Sequence, residues 1–148
     1  MIIERANKED LATILQLQYL AYQSEAELFG TQDIPPLKQT LGEVEREYEA
    51  GIILRMTDEQ GKIVGSVRAK EQDGTVYIGK LMVHPDHRRK GLGSTLLTEI
   101  EKCYPGKRYE LFTSTRSVDN LRLYQKMGYK PFRQQAVTDE LVFVYLEK

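Results

Sequence analysis

Apolar residues in the first fifty positions recur at helical intervals after one short apolar segment. Met1 to Arg5 is predicted to be a strand, and Asn7 is a good residue to cap the helix that follows. Residues 23–36 show no regular period and end in two prolines, which predicts a loop. Intervals of three and four residues place side chains on one face of a helix. Two helices show such intervals, the first with Leu11, Ile14 and Leu15 and the second with Leu37, Leu41, Val44 and Tyr48.

The spacing of apolar positions changes to two after Gly51. Alternation of this kind is typical of strands, and breaks that contain Gly and Asp are typical of turns. We therefore predict a meander of three strands, with turns at Asp58–Gly61 and Gln72–Gly74. The strands are Ile52–Thr57, Lys62–Lys70 and Thr75–Val83.

The last third of the chain contains two further amphipathic helices. Apolar residues at helical spacing run from Leu92 to Tyr104, where a Pro-Gly pair ends the helix. Ser117 is predicted to cap the other helix, and Gly128 is a good residue for its C-terminal end.

Further strands are predicted at Tyr109–Thr113 and Leu141–Leu146. The order of elements becomes β-α-α-β-β-β-α-β-α-β-β. Such an order predicts an α/β or α+β fold, in which a sheet of mixed strand directions is flanked by helices.

Composition restricts the classes of protein to be considered. The 148 residues are about the usual size of one domain, so we expect a single domain over 1–148. A net charge of -1 offers no broad attraction to nucleic acid or to an anionic membrane, and neither is expected as a partner. No apolar run is long enough to span a bilayer, and the N-terminus lacks the apolar stretch of a signal peptide.

The single cysteine restricts the chemistry further. Cys103 has no partner for an internal disulfide and cannot form a CxxC metal site, so no metal is expected. It is predicted to be a buried apolar residue on a helix. These features together fit a cytoplasmic enzyme, and also many other cytoplasmic proteins.

The most informative segment joins the strand that ends at Val83 to the helix that follows. A helix N-terminus offers unpaired backbone N–H groups and the positive end of the helix dipole. Gly91 and Gly93 let an anion approach this backbone closely. The neighbouring cations add mobile positive charge, so the segment is suited to hold a pyrophosphate. The loop consists of Arg88, Arg89, Lys90, Gly91, Leu92, Gly93 and Ser94.

Two other nucleotide motifs are absent from this segment. The P-loop pattern GxxxxGK[ST] does not occur, and a GxGxxG fingerprint would need glycine where Leu96 stands. The glycines also follow an antiparallel meander, which is the wrong context for a dinucleotide-binding fold. A basic turn that only caps an ordinary helix is the alternative.

Two motifs resemble the GNAT superfamily of N-acetyltransferases. The pattern Arg88-x-x-Gly91-x-Gly93 is similar to its acyl-CoA loop, R/Q-x-x-G-x-G/A, and follows a strand with a similar ending at Val83 and Pro85. The run from Leu123 to Tyr129 resembles its LYxKxGF segment. The close resemblance covers about residues 77–132. It implies a mostly antiparallel sheet, splayed at its centre, with acetyl-CoA as cosubstrate and an amine as acceptor.

The resemblance also implies roles for particular residues. Pantetheine would lie along the strand that contains Leu81, Met82 and Val83, with a bulge expected at Gly79. A backbone N–H near Leu81 would polarise the thioester. Tyr124 matches the family's tyrosine, which donates a proton to the departing thiolate. Its alternative role is core packing.

Some positions depart from the family's pattern. Ser117 stands where many members have Asn, and either Ser117 or Asn120 is a candidate for binding the cofactor. Tyr77 stands where several members carry a glutamate base, and a phenol is a poor base at neutral pH. The remaining candidates for the base are Glu25, Glu27, His84 or an ordered water.

The acceptor amine is not readable from the sequence. A small-molecule amine is favoured over a peptide amine, and the acceptor site is predicted between residues 22–36 and the splayed strand. The oligomeric state is left open between monomer and homodimer. The alternatives to an enzyme are a protein that binds acetyl-CoA without transferring the acetyl group and an interaction domain whose basic turn binds nothing.

Overall fold

Seven strands form one sheet in this computed structural model, which describes residues 1–148. Their order in the sheet is β1-β2-β3-β4-β5-β7-β6. Only β4 and β5 pair in parallel, and the other neighbours are antiparallel. The predicted mixed and mostly antiparallel sheet is therefore confirmed. The strands are Ile2–Arg5 (β1), Ile52–Thr57 (β2), Ile63–Gln72 (β3), Thr75–Val83 (β4), Arg108–Ser114 (β5), Lys130–Ala136 (β6) and Val142–Glu147 (β7).

Helices cover both faces of the sheet, as the alternation along β2 shows. Ile53 packs in one cluster with residues of the first and fourth helices, whereas Leu54 packs in the main core with the fifth and sixth. Successive side chains of a strand point to opposite faces, so the two helical layers lie on opposite sides. The helices are Leu11–Ala21 (α1), Gln23–Phe29 (α2), Pro35–Lys38 (α3), Leu41–Ala50 (α4), Leu92–Lys102 (α5) and Val118–Lys126 (α6).

The segment predicted as a loop over residues 23–36 contains helix α2, so that prediction is wrong there. Gln23–Phe29 is composed mostly of good helix formers, but its seven residues bury only Ala26. One buried residue does not produce a periodic signal. Gly30 ends the helix with a positive φ of 66°.

The predicted second helix is divided in the structure. Leu37 lies in the short helix α3, and α4 begins at Leu41 after an extended Gln39 and Thr40. The Thr40 hydroxyl accepts a hydrogen bond from the N–H of Glu43 at 3.2 Å, and the Glu43 carboxylate accepts one from the N–H of Thr40 at 3.0 Å. This reciprocal capping box starts a new helix at Leu41.

Loss of this cap should measurably weaken the fold. Thr40→Ala removes the hydroxyl that satisfies an unpaired N–H of α4, and we expect a loss of about 1 kcal/mol in the free energy of unfolding. Chemical denaturation measures it. Thr98→Ala is the matched control, since Thr98 lies inside α5 and bonds only to the Ser94 carbonyl four residues earlier. An equal loss in both variants would contradict the role given to Thr40.

Strands β4 and β5 separate along the sheet, which confirms the predicted splay. They pair over only three residues, Thr75–Tyr77 with Arg108–Glu110. Beyond this point β4 stays paired with β3 through Val83, and β5 stays paired with β7 through Ser114. A wedge therefore opens between the two central strands, and one edge of β4 has no strand beside it.

A bulge in β4 lies at the start of this wedge. Gly79 pairs with Arg68 and Met82 pairs with Ser66, so Lys80 and Leu81 together oppose one residue of β3. Lys80 has a φ of +51°. The sequence placed the bulge at Gly79, but Gly79 remains in register and the irregularity begins at the next residue.

Candidate functional site

The loop before α5 presents a row of unpartnered backbone N–H groups. Thr95 is the first residue of α5 whose N–H is bonded within the helix, to the Gly91 carbonyl at 3.2 Å. The N–H groups of the residues before it, from Leu92 to Ser94, make no hydrogen bond within the chain. Arg89 and Gly91 have positive φ angles of 64° and 75°, which turn the chain sharply into the helix. This geometry is suited to binding an anion.

The two glycines of the loop have different surroundings. A Cβ atom at Gly91 would meet nothing within 4 Å, so this position faces open space. A Cβ at Gly93 would lie 3.3 Å from Cδ2 of Leu123 in α6. The sequence assigned both glycines to anion approach, but Gly93 also allows α6 to pack closely against the start of α5.

The three cations of the loop also differ. Arg88, Arg89 and Lys90 are all exposed. Arg88 donates a hydrogen bond from Nη2 to the carbonyl of Ala21, the last residue of α1, at 2.7 Å. It therefore holds the loop against α1, while Arg89 and Lys90 make no ion pair or hydrogen bond with their side chains.

The strand along which pantetheine is predicted to lie is β4, and it has an unpaired edge there. Met82 is buried against Leu17 and Ala21 of α1, and Leu81 and Val83 pack against the main core on the other face. Their side chains are thus used in packing, and only their backbone is available along the wedge.

Tyr124 on α6 has a buried ring and a hydroxyl without a partner. The residue is 6% exposed, and its hydroxyl makes no hydrogen bond within the chain. Burial raises the pKa of Tyr124, and the nearby Tyr22 and Glu25 raise it further. The phenol is protonated at neutral pH, and its raised pKa makes it a weaker proton donor than a free phenol.

Glu25 of α2 is joined to the start of α6. Its two carboxylate oxygens accept hydrogen bonds from the Ser117 hydroxyl at 2.9 and 2.7 Å, and Oε1 also accepts one from Asn120 at 3.3 Å. Asn120 donates to the Thr113 hydroxyl as well, at 3.3 Å. Ser117 thus occupies the N-cap position of α6 without capping it through its side chain, which corrects the sequence-based expectation.

The other candidates for the base have different surroundings from those of Glu25. Nδ1 of His84 accepts a hydrogen bond from the N–H of Asp86 at 3.1 Å, so this nitrogen stabilises the turn after β4. Glu27 is exposed on α2. Cys103 at the end of α5 is half-buried, and burial raises the pKa of its thiol, which weakens it as a nucleophile.

A cleft of about 420 Å³ opens where β4 and β5 separate. Parts of β3, β4 and β5 and one face of α4 line it. Tyr77 of β4 and Phe112 of β5 are exposed in its walls, and Lys80 lies at its edge and borders a smaller cleft beside α3. Sequence reasoning missed Lys80. The available signal was a charged residue inside the apolar run from Ile78 to Val83.

A buried polar network forms the wall of the cleft nearest to α4. Arg68 of β3 is 4% exposed and donates to Gln18 at 2.6 Å, to Gln39 at 3.0 Å and to Glu47 at 2.7 Å. Desolvation lowers the pKa of Arg68, and the charge of Glu47 opposes that shift. The network joins α1, α4 and β3, so it holds the cleft wall in a defined position.

Two further features concern metal binding and membrane crossing. No group of three or more His, Cys, Asp or Glu side chains is arranged as a metal site would be. None of the helices combines the length and hydrophobicity that crossing a bilayer requires.

Residues 49–131 match the family model described as "Acetyltransferase (GNAT) domain". The UPF0157 protein YqkA of Bacillus subtilis is 29% identical over 118 residues, which are 79% of this chain and 34% of that protein. The chain thus spans about a third of the length of that relative.

Solved structures share the fold. The putative acetyltransferase yncA of Salmonella typhimurium, solved with its cofactor acetyl-CoA, superposes with a TM-score of 0.74 at 21% identity, over 100% of this chain and 92% of that chain. The ribosomal-protein-S18-alanine N-acetyltransferase of Escherichia coli superposes with a TM-score of 0.78 at 16% identity, over 99% and 91% of the two chains.

Proposed function

The chain belongs to the GNAT acetyltransferase family, and from this we propose that it transfers the acetyl group of acetyl-CoA to a primary amine, with residues 1–148 as one acetyltransferase domain. One observation supports the proposal most directly. The unpartnered N–H groups open the helix that follows β4, and the edge of β4 toward β5 is unpaired beyond Tyr77, so a candidate anion site and an extended groove belong to consecutive elements.

The loop Arg88–Ser94 is proposed to hold the pyrophosphate. The free N–H groups and the dipole of α5 would face the phosphate oxygens, and Arg89 and Lys90 would add positive charge at the rim. Arg88 would act mainly by holding the loop on α1, since its guanidinium already donates to Ala21. Leu92 would contribute through its backbone, because its side chain packs against the core.

Pantetheine is proposed to lie in the wedge as an additional strand on β4. Hydrogen bonds to the main chain of Leu81, Met82 and Val83 would replace those that β5 does not make there. The bulge at Lys80 and Leu81 interrupts the regular pairing of β4 with β3 beside the wedge, which would leave a backbone N–H near Leu81 available to a ligand. We propose that this N–H polarises the thioester carbonyl.

The transfer step needs the two reactants held together and a proton supplied to the leaving group. The neutral amine nitrogen bonds to the thioester carbon and gives up a proton to water, the C–S bond breaks, and the thiolate receives a proton. Water then returns a proton to the group that protonated the thiolate. Tyr124 is proposed to donate that proton, and bringing the reactants together supplies much of the remaining rate enhancement. The unpartnered hydroxyl of Tyr124 favours this enzymatic role over simple acetyl-CoA sensing, which would need no proton donor.

Asn120 is proposed to contact the cofactor after it gives up one of its present hydrogen-bond partners. Its amide bonds to Glu25 and Thr113 in this structure, so it would have to exchange a partner to do so. The acceptor is proposed to be a small-molecule amine, because the cleft of about 420 Å³ has the size typical of small-molecule sites.

Two measurements test the proposed function. Calorimetry with acetyl-CoA should show saturable binding, and a panel of amines should yield free CoA faster than acetyl-CoA alone. Binding without acceptor-dependent CoA release would indicate a sensor. Absence of binding would mean that the basic loop is only a structural turn.

A further inference from the structure

The side chains that line the 420 Å³ cleft carry an excess of positive charge when those already engaged in ion pairs are not counted. Two carboxylates line it, and both are already paired. Glu47 accepts hydrogen bonds from Arg68 at 2.7 Å and from Gln39 at 2.9 Å. Glu110 accepts one from Arg108 at 2.9 Å. Neither carboxylate is therefore free to attract a ligand cation.

The cations of the cleft are mostly unpaired. Arg46, Lys70 and Lys80 line it, and none makes a hydrogen bond or ion pair with its side chain. An unpaired cation in water is ordinary, and Arg46 and Lys70 are exposed. Lys80 differs from them because it is half-buried in the bulge between the two clefts.

Burial of Lys80 has an electrostatic cost that a ligand can offset. Desolvation lowers the pKa of Lys80, and Glu47 and Glu43 only partly oppose that effect. Arg68 also faces Lys80 and adds to its destabilisation. A partly desolvated ammonium without a close counter-ion gains free energy when an anion binds to it.

We propose that the acceptor amine also carries a carboxylate, which Lys80 binds inside the cleft while Arg46 attracts it from the rim. This inference rests on the proposed acetyltransfer. Lys80 directly precedes Leu81, whose N–H is proposed to face the thioester, so the carboxylate and the reacting amine lie within one small molecule of each other. Tyr77 and Phe112 supply apolar walls for the body of such an amino acid.

The proposal gives the acceptor site free positive charge, although the segment predicted to bound that site is acidic. Glu25 and Glu27 lie in this segment, residues 22–36, but neither lines the cleft, and Glu25 accepts hydrogen bonds from Ser117. The site that adjoins the wedge instead offers free positive charge. The acceptor is thus selected by the anionic group it carries.

The test compares amino acids with their own carboxamides as acceptors. Each pair shares one side chain and one α-amine, and only the carboxylate is replaced by a neutral group. The carboxamide has the less basic amine, so chemistry alone favours it, and a preference for the acid must come from binding. We expect at least one acid to be preferred over its carboxamide by roughly 10- to 100-fold in kcat/KM, the range for a hydrogen bond to a charged group.

Three variants connect that preference to Lys80. Lys80→Met, which keeps the length but removes the charge, should abolish the preference, and Lys80→Arg should retain most of it. Lys62→Met is the control, since Lys62 lies in the distant turn between β2 and β3. Acetyl-CoA affinity, measured by calorimetry, should be the same in all of them.

The outcomes separate this inference from the function on which it rests. A wild-type protein that binds acetyl-CoA but accepts carboxamides as well as acids, or accepts no acid at all, overturns the inference alone. A preference that survives in Lys80→Met overturns it too. If the wild-type protein does not bind acetyl-CoA, the proposed function and the inference are both overturned.

Discussion

Gly91→Val is expected to weaken acetyl-CoA binding by about 100-fold or more while the protein stays folded. The open space beside Gly91 is where a ligand would approach the free N–H groups of α5, and valine would fill it. Loss of two charge-assisted hydrogen bonds, at about 1.5–3 kcal/mol each, corresponds to at least that factor. Calorimetry with acetyl-CoA measures the change.

Backbone strain must be separated from ligand blocking in this experiment. Gly91 has a φ of 75°, which a β-branched residue adopts only with strain. Gly61 has a φ of 79° and equally open surroundings, but lies in the turn between β2 and β3. Gly61→Val should therefore cost similar stability and leave acetyl-CoA affinity unchanged. Equal affinities in the two folded variants would disprove the phosphate site.

Tyr124→Phe is expected to lower turnover by roughly 10²- to 10⁴-fold, the range for loss of general acid catalysis. The substitution keeps the ring, which lies 6.1 Å from the ring of Tyr129 between centroids, and removes only the hydroxyl. That hydroxyl makes no hydrogen bond within the chain, so the folded protein should be barely destabilised. Single-turnover kinetics, with chemistry limiting, measures the effect, and acetyl-CoA affinity should hardly change.

A second tyrosine of the same core provides the control. The hydroxyl of Tyr109 donates to the carbonyl of Tyr104 at 2.7 Å and has no place in the proposed reaction. Tyr109→Phe should thus lower stability by about 1 kcal/mol and leave turnover intact. The proton-donor role of Tyr124 is wrong if its Phe variant turns over at the wild-type rate.

The two variants report on different parts of one site. In the proposed site, Gly91 would affect binding of the cosubstrate without touching the reacting atoms, and Tyr124 would affect the reacting atoms without touching the phosphates. Their effects on kcat and on acetyl-CoA affinity should therefore separate. Lys80 would add a third, independent effect, seen only in the choice between acceptors.

Local pattern was sufficient for most of the fold. Strands β2 and β4 have the boundaries that alternation predicted, and α5 starts at the predicted Leu92. These elements depend on periodicity, turn residues and helix ends, and all of these are determined by residues close together in the sequence. The loop Arg88–Ser94 belongs to the same class, since a free helix N-terminus after a strand follows from local sequence alone.

Tertiary structure was needed wherever the decisive partner is distant in sequence. Helix α2 has only one buried residue, and its Glu25 is held by Ser117, 92 positions away. The bulge was displaced from Gly79 to Lys80 by the register of β4 against β3. Neither feature can be recognised from the neighbouring sequence, because each depends on how the fold brings remote segments together.

The sequence by itself therefore determined the order of the strands, the family and the position of the glycine-bearing loop before α5. Only the tertiary structure decided which charges of the cleft are free, since Glu47 of α4 pairs with Arg68 of β3, whereas Glu110 pairs with Arg108 on its own strand. It also decided that Lys80 is left without a partner. The physical reason is that the free charge of a site depends on which ions pair and which are desolvated, and both depend on packing between distant residues.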